Sequence, residues 1–533
     1  MDLNELIFGN PIILENILNK YPAKYLLEVK KVNKFWTSVI NSILEKRSRI
    51  SCALYAFREN SLLEQYISLN YLDLIAETLP IYPDFAIFII SYNLYAQCYK
   101  INESGEPLQI KPSLFNYLKL KMPADCIILY IITDGVIGTS YDPYIYNNGK
   151  YSTCSTFEYE SSQSFSSYLF STRNHLAKDK YLSATKSKRL NFEMLDIPRK
   201  DIKHFINHKN KSKCKFDLAK YFSNKRHTDF PFDARCVLFF ADSIIETQIL
   251  RKILIIIRDT YESNNSKIKI IGALVDGLDI LTNNSHTFRN REDSHRIKHH
   301  KIFERLAPSI LLIFLRGEQI KDVLLEIIPS SCIDQISLGN RIKHLKNSYN
   351  ALASTFADRH LNPFAFMFSC IGRGKHIYSW QQNVESLMFH SYFPDVPIVG
   401  LFGNGEIAYQ SPGCQTYDAD KVKTSNKSFE DEPKVGQSAD NHDDAIPRND
   451  TILYREFGYK HTNDPQDFEQ ILNLAGKNPD SIPGDDDPDD HRSRLILDEM
   501  TQGDRDKKPK LTSAQFIYYY STIFCVVVID RDI

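Results

Sequence analysis

Cys370, Arg373, His376 and Glu406 are the side chains whose type and spacing could do chemistry in this chain. Cys370 closes an apolar run, Phe364 to Ser369, and a base or cation beside it (His376 or Arg373) would make its thiol a nucleophile. The competing reading is a buried cysteine acting as a small hydrophobe, and it is the favoured one. Arg373 stands between Gly372 and Gly374, where its planar fork could be presented to a carboxylate. Glu406 follows Gly403, Asn404 and Gly405 and could accept an ammonium, with the N–H groups of the glycine turns forming an anion nest. Alternatively, Arg373 and Glu406 pair with each other and brace the two turns. Gly372, Arg373, Gly374, Gly403, Asn404, Gly405 and Glu406 are therefore the candidate ligand-binding or target-binding residues.

Positioning these groups requires strand, turn, helix, strand and turn in that order. Phe364 to Ser369 reads as a buried strand, and Val396 to Phe402 as a second one. Between them Asn383 could cap a helix with an apolar face of Val384, Leu387 and Met388, near Phe393. Parallel strands joined by one helix would bring both glycine turns to the same end of a sheet, where such folds bind ligands.

Several function classes lack support. No GxxxxGK[ST], HExxH or dinucleotide fingerprint occurs. His286, His295, His299 and His300 fall in a polar loop with no second ligand set, so a solvated loop is favoured over a metal site and over reading RIKHHK as a nuclear-import signal. The net charge of −1 gives no global attraction to nucleic acid or anionic lipid. The ten cysteines include no CxxC pair, and the start lacks a basic signal region. A reducing cytoplasm or nucleus is the expected setting. Phe516 to Ile529 is too short and interrupted to span a bilayer.

At 533 residues, with 43% hydrophobic residues, the chain predicts several domains. Ile13 with Ile17 and Leu14 with Leu18 repeat at helical spacing, Tyr21-Pro22 stops that helix, and Leu26, Leu27, Val29, Val32, Trp36, Val39, Ile40 and Ile43 continue the apolar set. Leu62–Leu79 and Phe85–Tyr95 read as helices of a linker over 51–110. Cys126–Thr133 reads as a strand ending at Asp134-Gly135, and Asn147–Gln163 as a loop. Asp201–Thr228 reads as a solvated connector. Cys236–Ala241, a helix over Ile244–Tyr261, and Lys269–Val275 form a second strand–helix–strand unit, leading into Asp276-Gly277. Ser309–Arg316 and Val323–Ile328 are expected to pair across Gly317-Glu318, and Arg341–Phe356 is a helix. Gln415–Lys510, with its GDDDPDD run, has too little apolar area to offset its ordering entropy and reads as disordered. Ser513–Ile529 reads as one last strand.

Between Pro363 and Tyr409, the order GRG, NVE, FPxVP and FGNGEI resembles the C-terminal part of the FIST domain. Residues 10 to 50 resemble an F-box, with an apolar helix, then PAxxLLxV, then Val32-Asn33-Lys34-Phe35-Trp36 where VCRxW is usual. An ordinary helical cap is the plain alternative. The resemblance implies an α+β chain: an all-helical F-box (8–50), the linker, a multi-layer α/β FIST region (111–330 and 331–414), the acidic insertion (415–510), and a final strand (511–533). It further implies a non-catalytic substrate receptor of an SCF-type ubiquitin ligase. Its partners would be Skp1 and, through it, cullin and a RING protein, with the FIST region holding a protein target for degradation. No cofactor and no metal are implied. Leu14, Leu18, Pro22, Leu26, Leu27, Val32 and Trp36 would form the Skp1-facing and core surface, Trp36 serving internal packing and Leu14 or Leu18 the partner. The alternative function is a FIST-type sensor of a small, amino-acid-like ligand.

Overall fold

The structure is a computed structural model that describes residues 10–46, 50–57, 79–98, 121–124, 126–140, 155–160, 162–171, 190–198, 201–202, 218–226, 229–281, 309–375, 377–411 and 516–530. Helix α1 (Pro11–Leu18) starts where the Asn10 side chain accepts from Ile12 N at 2.9 Å, with Pro11 in the first turn. Helix α2 (Ala23–Val29) begins after Pro22. Asn33 starts α3 (Lys34–Lys46) by accepting from Trp36 N at 2.8 Å, so the asparagine that departs from the F-box pattern works as a helix cap. Leu14, Leu18, Leu26, Val39, Ile40 and Ile43 form the core of this helical unit, with Trp36 and Val29 packed against it.

The chain continues through β1 (Ile50–Phe57), β2 (Phe85–Ser91), α4 (Tyr92–Cys98), β3 (Ile127–Thr133), β4 (Gly135–Thr139), β5 (Thr156–Glu160), β6 (Gln163–Phe170) and β7 (Asn191–Pro198). Next come α5 (Leu218–Arg226), β8 (Cys236–Asp242), α6 (Thr247–Glu262), β9 (Lys269–Val275), β10 (Gly277–Leu281), β11 (Ser309–Arg316) and β12 (Ile320–Ile328). The last part holds α7 (Gln335–Thr355), β13 (Leu361–Cys370), α8 (Val384–Tyr392), β14 (Ile398–Gly403), β15 (Glu406–Gln410), β16 (Ile517–Tyr518) and β17 (Thr522–Asp530). The result is a mixed α/β architecture of three sheets. The first runs β1-β6-β2-β3-β10, the second β16-β15-β9-β8-β11-β7, and the third β12-β17-β13-β14-β4-β5.

Successive strand residues point to opposite faces, and here both faces are buried. Leu238 and Phe240 of β8, Phe364, Phe366 and Phe368 of β13, and Leu129 and Ile131 of β3 meet in one central core shared by all three sheets. Their alternates face outward onto helices. Val237 and Phe239 meet α5 and α6, Ala365 and Met367 meet α7 and α8, and Ile128 and Tyr130 share a cluster with Leu94 of α4. Strands buried on both sides read as unbroken apolar runs, which is what the sequence carries at Ile127–Thr133 and Cys236–Asp242.

Several expectations change. Phe85–Ser91 is a strand, not a helix, and with β1 it replaces part of the helical linker expected over 51–110; most of Leu62–Leu79 lies outside the described residues. The expected loop at 147–163 contains β5, and the expected connector at 201–228 contains α5, whose Leu218 and Phe222 are buried. Strands β11 and β12 do not pair. Both edges of β11 are taken by β7 and β8, so the chain changes sheet at Gly317 (φ 123°), and β12 pairs with β17. Ser513–Ile529 likewise divides between β16 in the second sheet and β17 in the third. Residues 415–510, the histidine loop and His376 lie outside the described residues. Among those described, no helix is long and apolar enough to cross a membrane.

Candidate functional site

Strands β13 and β14 are parallel, with Cys370 opposite Gly403, so the two glycine turns do leave the same end of the third sheet. Two further strand ends join them. Strand β3 bends at Asp134 into β4, β9 bends at Asp276 into β10, and β14 bends at Asn404-Gly405 into β15. Each bend carries the chain from one sheet to another: first to third, second to first, third to second. Asp276 N donates to Ile132 O at 2.9 Å, Asn404 N to Leu274 O at 3.0 Å, and Thr133 Oγ1 donates to Phe402 O. Asn404 Nδ2 donates to Asp276 Oδ1 at 3.0 Å. The sequence signal for this threefold relation, an apolar strand followed by Asp-Gly or Asn-Gly, is present at all three places; only the third was read as a site.

The carboxyl groups here are starved of water. Burial, then the charges of Asp134 and Asp242, push Asp276 up to about 7. Burial also raises Asp134. Among the described residues, no group of three or more His, Cys, Asp or Glu is arranged to hold a metal ion.

Arg373 is 0% exposed. Its Nε donates to Glu385 Oε1 at 2.6 Å. Nη1 donates to Pro329 O at 3.1 Å, and Nη2 to Cys332 O at 2.6 Å and Tyr378 Oη at 3.1 Å. Glu385 is equally committed, accepting from Tyr378 Oη at 2.6 Å and Thr522 Oγ1 at 2.5 Å. The fork expected to face a ligand therefore spans the segment before α7, the turn after β13 and the start of α8. It is a brace, and its carboxylate is Glu385 of α8, not Glu406. A buried ion pair of this kind needs its remaining donors filled, and here backbone carbonyls fill them.

Glu406 is also 0% exposed. Its Oε2 accepts from Ser521 Oγ at 2.7 Å, while Oε1 has no hydrogen-bond partner among the described residues. Burial raises its pKa. Burial and then the neighbouring Glu406 raise the Cys370 thiol. That is opposite to what a nucleophile at neutral pH requires.

The turns are not open either. Tyr519, Tyr520 and Ser521 cross between β16 and β17 and lie over them. A Cβ on Gly372 would sit 2.7 Å from the Tyr520 ring, and one on Gly405 (φ +143°) 3.0 Å from the Tyr519 ring. Glycine is needed at these two positions for close approach by the protein's own tyrosines, and at Gly405 also for its left-handed backbone. Gly374 and Gly403 are buried in the same turns.

Strand β5, read as loop, supplies residues that sequence reasoning missed. Asn383, at the start of α8, has φ 62° and makes no cap bond within its own helix. Instead its Oδ1 accepts from Glu158 N at 2.6 Å, and Glu158 Oε1 accepts from Ser386 N at 2.6 Å. The cap is exchanged between a strand and a helix far apart in sequence. Burial, then the charge of Glu385, pushes Glu158 up to about 8.

The helical unit presents the opposite surface. Leu14 and Leu18, of which one or the other is expected to face the partner, are both core, as is Leu26; Pro22, Leu27 and Trp36 are half-buried, and Val32 is exposed. The large apolar groups in solvent are Ile12 (70% exposed), Ile17, Tyr21, Tyr25, Val32 and Phe35. Ile13, Asn16, Ile17, Lys20 and Tyr21 line a hollow.

Comparison with known proteins bears on the strand ends most directly. The FIST C domain matches residues 328–409, from the end of β12 to β15. F-box only protein 22 of Homo sapiens and its Pongo abelii counterpart are each 45% identical over 65 residues. Those residues are 12% of this chain and span only 14% of the length of either curated relative. The braced strand–helix–strand unit that carries Arg373, Glu385 and Glu406 is a FIST C domain.

Proposed function

We propose that this chain is the substrate-recognition subunit of an SCF-type ubiquitin ligase. The helical unit at 10–46 is its F-box and docks on Skp1, and through Skp1 on cullin and a RING protein. The region of three sheets, with its FIST C domain, holds a protein target for ubiquitination and degradation, in the cytoplasm or nucleus. The relatives' name supplies the F-box reading, but the observation that carries the proposal is the exposure of Ile12, Ile17, Tyr21, Val32 and Phe35 on a small unit that has its own core. Large apolar side chains left in solvent beside such a core mark an interface. Lys20, Lys24 and Lys34 are exposed on the same unit and suit an acidic partner.

Chemistry at a bond is not part of this role. A receptor raises the local concentration of a target lysine near a charged conjugating enzyme. The raised Cys370 thiol and the fully bonded Arg373 agree with that division of labour. Binding of purified Skp1 to the full chain, wild type against the Ile12→Asp/Ile17→Asp double variant, tests the proposal: capture by the wild type alone is expected, and absence of capture by the wild type would refute it. One observation favours the second reading, a small-ligand sensor: the unsatisfied, buried Glu406 Oε1 would welcome an ammonium if the tyrosines moved aside.

A further inference from the structure

Trp380 is a large aromatic side chain that the fold leaves in solvent, 67% exposed within the FIST C domain. It is held there by an unusual backbone. Ser379 and Trp380 both take left-handed conformations, φ 52° and 68°, which a bulky residue adopts only when its surroundings impose them. The imposing bonds are visible. Trp380 N donates to Lys375 O at 2.7 Å, and Gln381 N to Tyr378 O at 3.0 Å. Gln381 Oε1 accepts from Gln335 Nε2 at 2.8 Å, which ties this loop to the first turn of α7. The Arg373 guanidinium joins the same two segments from beneath, through Cys332 O and Tyr378 Oη.

That joining places Ile333 and Ile336, 59% and 74% exposed, on the segment tied to the indole's loop. Charge of both signs lies at this patch: the exposed Asp334 stands between the two isoleucines, and Glu160 Oε1 accepts from Lys375 N at 2.6 Å. The Asp334 carboxylate is engaged in capping α7, accepting from Ser337 N at 2.8 Å. The Lys375 ammonium lies 5.5 Å from the centre of the Trp380 ring, and among the described residues no carboxylate is within ion-pair distance of it. A rigid aromatic anchor with flanking aliphatic groups is the usual composition of an interface hot spot.

We propose that Trp380, Ile333, Ile336 and Lys375 form the target-docking face of the FIST C domain, and that it takes a peptide segment bearing apolar side chains beside an aspartate or glutamate. This rests on the receptor reading above. The carboxylate meets Lys375 while the apolar residues cover the indole and the isoleucines. A second copy of this chain, which could set its own Asp334 against Lys375, is the rival occupant that the oligomeric state of Trp380→Ala distinguishes.

The test is selection of displayed random peptides of roughly a dozen residues on the immobilised full chain. Selected peptides are then titrated by fluorescence anisotropy against wild type, Trp380→Ala, Lys375→Glu and the control Ile244→Ala, with circular dichroism on each. The expected result is enrichment of acidic–apolar sequences that bind Trp380→Ala about thirtyfold more weakly and Lys375→Glu about tenfold more weakly. Binding to Ile244→Ala should match wild type. Failure to select any peptide, sequences without a carboxylate, or equal binding to folded Trp380→Ala would each overturn the proposal. So would a concentration-dependent dimer that Trp380→Ala abolishes, since the face would then belong to a second copy. Skp1 capture on the same preparations separates the two claims. Intact capture with no peptide removes only the docking face, and peptide binding without capture removes the receptor reading.

Discussion

In the helical unit Ile12, Tyr21 and Val32 stand in solvent, while at the strand ends of the FIST C domain Arg373, Glu385 and Glu406 are shut away from it. Each region reverses the usual placement, and for different physical reasons. A unit of three short helices encloses only a few leucines and isoleucines, so among the described residues the apolar groups on its outer faces are left for a partner to cover. The strand ends have the opposite difficulty. Three sheets meet there, and the polar groups of their turns must be satisfied inside the protein. Arg373 does this for the carbonyls of Pro329 and Cys332, and Ser521 for one oxygen of Glu406. A charged side chain in a glycine turn is thus no sign of a ligand by itself, and an apolar one on a complete small core is a sign of a partner.

The largest expected effect is on the buried side. Arg373→Ala takes a donor from the Glu385 carboxylate and from the carbonyls of Pro329, Cys332 and Tyr520, and should cost about 3–5 kcal/mol in urea unfolding. Replacing the pair together, Arg373→Met with Glu385→Leu, should recover much of that loss, because an apolar pair needs no partners. A single variant with unchanged stability would remove the brace from the comparison.

Gly372→Ala probes the tyrosine cover. The new methyl group would sit 2.7 Å from the Tyr520 ring, and the overlap should cost about 1–3 kcal/mol. Adding Tyr520→Ala should restore part of it if that ring is the obstacle.

Glu158 gives a pH signature. Its folded pKa of about 8 lies above the ordinary 4.5, so the folded state holds a proton that the unfolded chain releases. The stability from that proton is complete below about pH 4.5 and is lost as pH rises through about 8. Glu158→Gln keeps an acceptor for Ser386 N and carries no charge. The variant should flatten the fall in melting temperature across that window and be the more stable protein at pH 8, by about 1 kcal/mol or more. Parallel pH profiles would count against a protonated Glu158.

Much of this arrangement is legible in the sequence. The parallel β13–α8–β14 unit follows from two apolar runs separated by one helical stretch, and Cys236–Asp242 and Lys269–Val275 follow from continuous apolar composition. The same property hides Phe85–Ser91, since an unbroken apolar run has no period by which to separate strand from helix. Partners are harder still. The carbonyl groups that hold Arg373 belong to Pro329 and Cys332, and a backbone oxygen leaves no mark in the residue pattern. Glu158 and Asn383 exchange a helix cap across more than two hundred positions. In the helical unit, spacing identifies Leu14 and Leu18 as one face, and that face, expected to meet a partner, turns instead to the core of the three-helix packing.

The smallest effect on stability should accompany the largest effect on binding. Ile12→Asp with Ile17→Asp alters two exposed side chains and should change the unfolding free energy by less than about 1 kcal/mol. Calorimetric titration of purified Skp1 into the full chain tests the central claim most directly. The prediction is tight binding to the wild type and a loss of at least about a hundredfold in affinity for the folded double variant. Equal affinity of the two proteins for Skp1 would contradict the assignment of these exposed side chains to the docking surface.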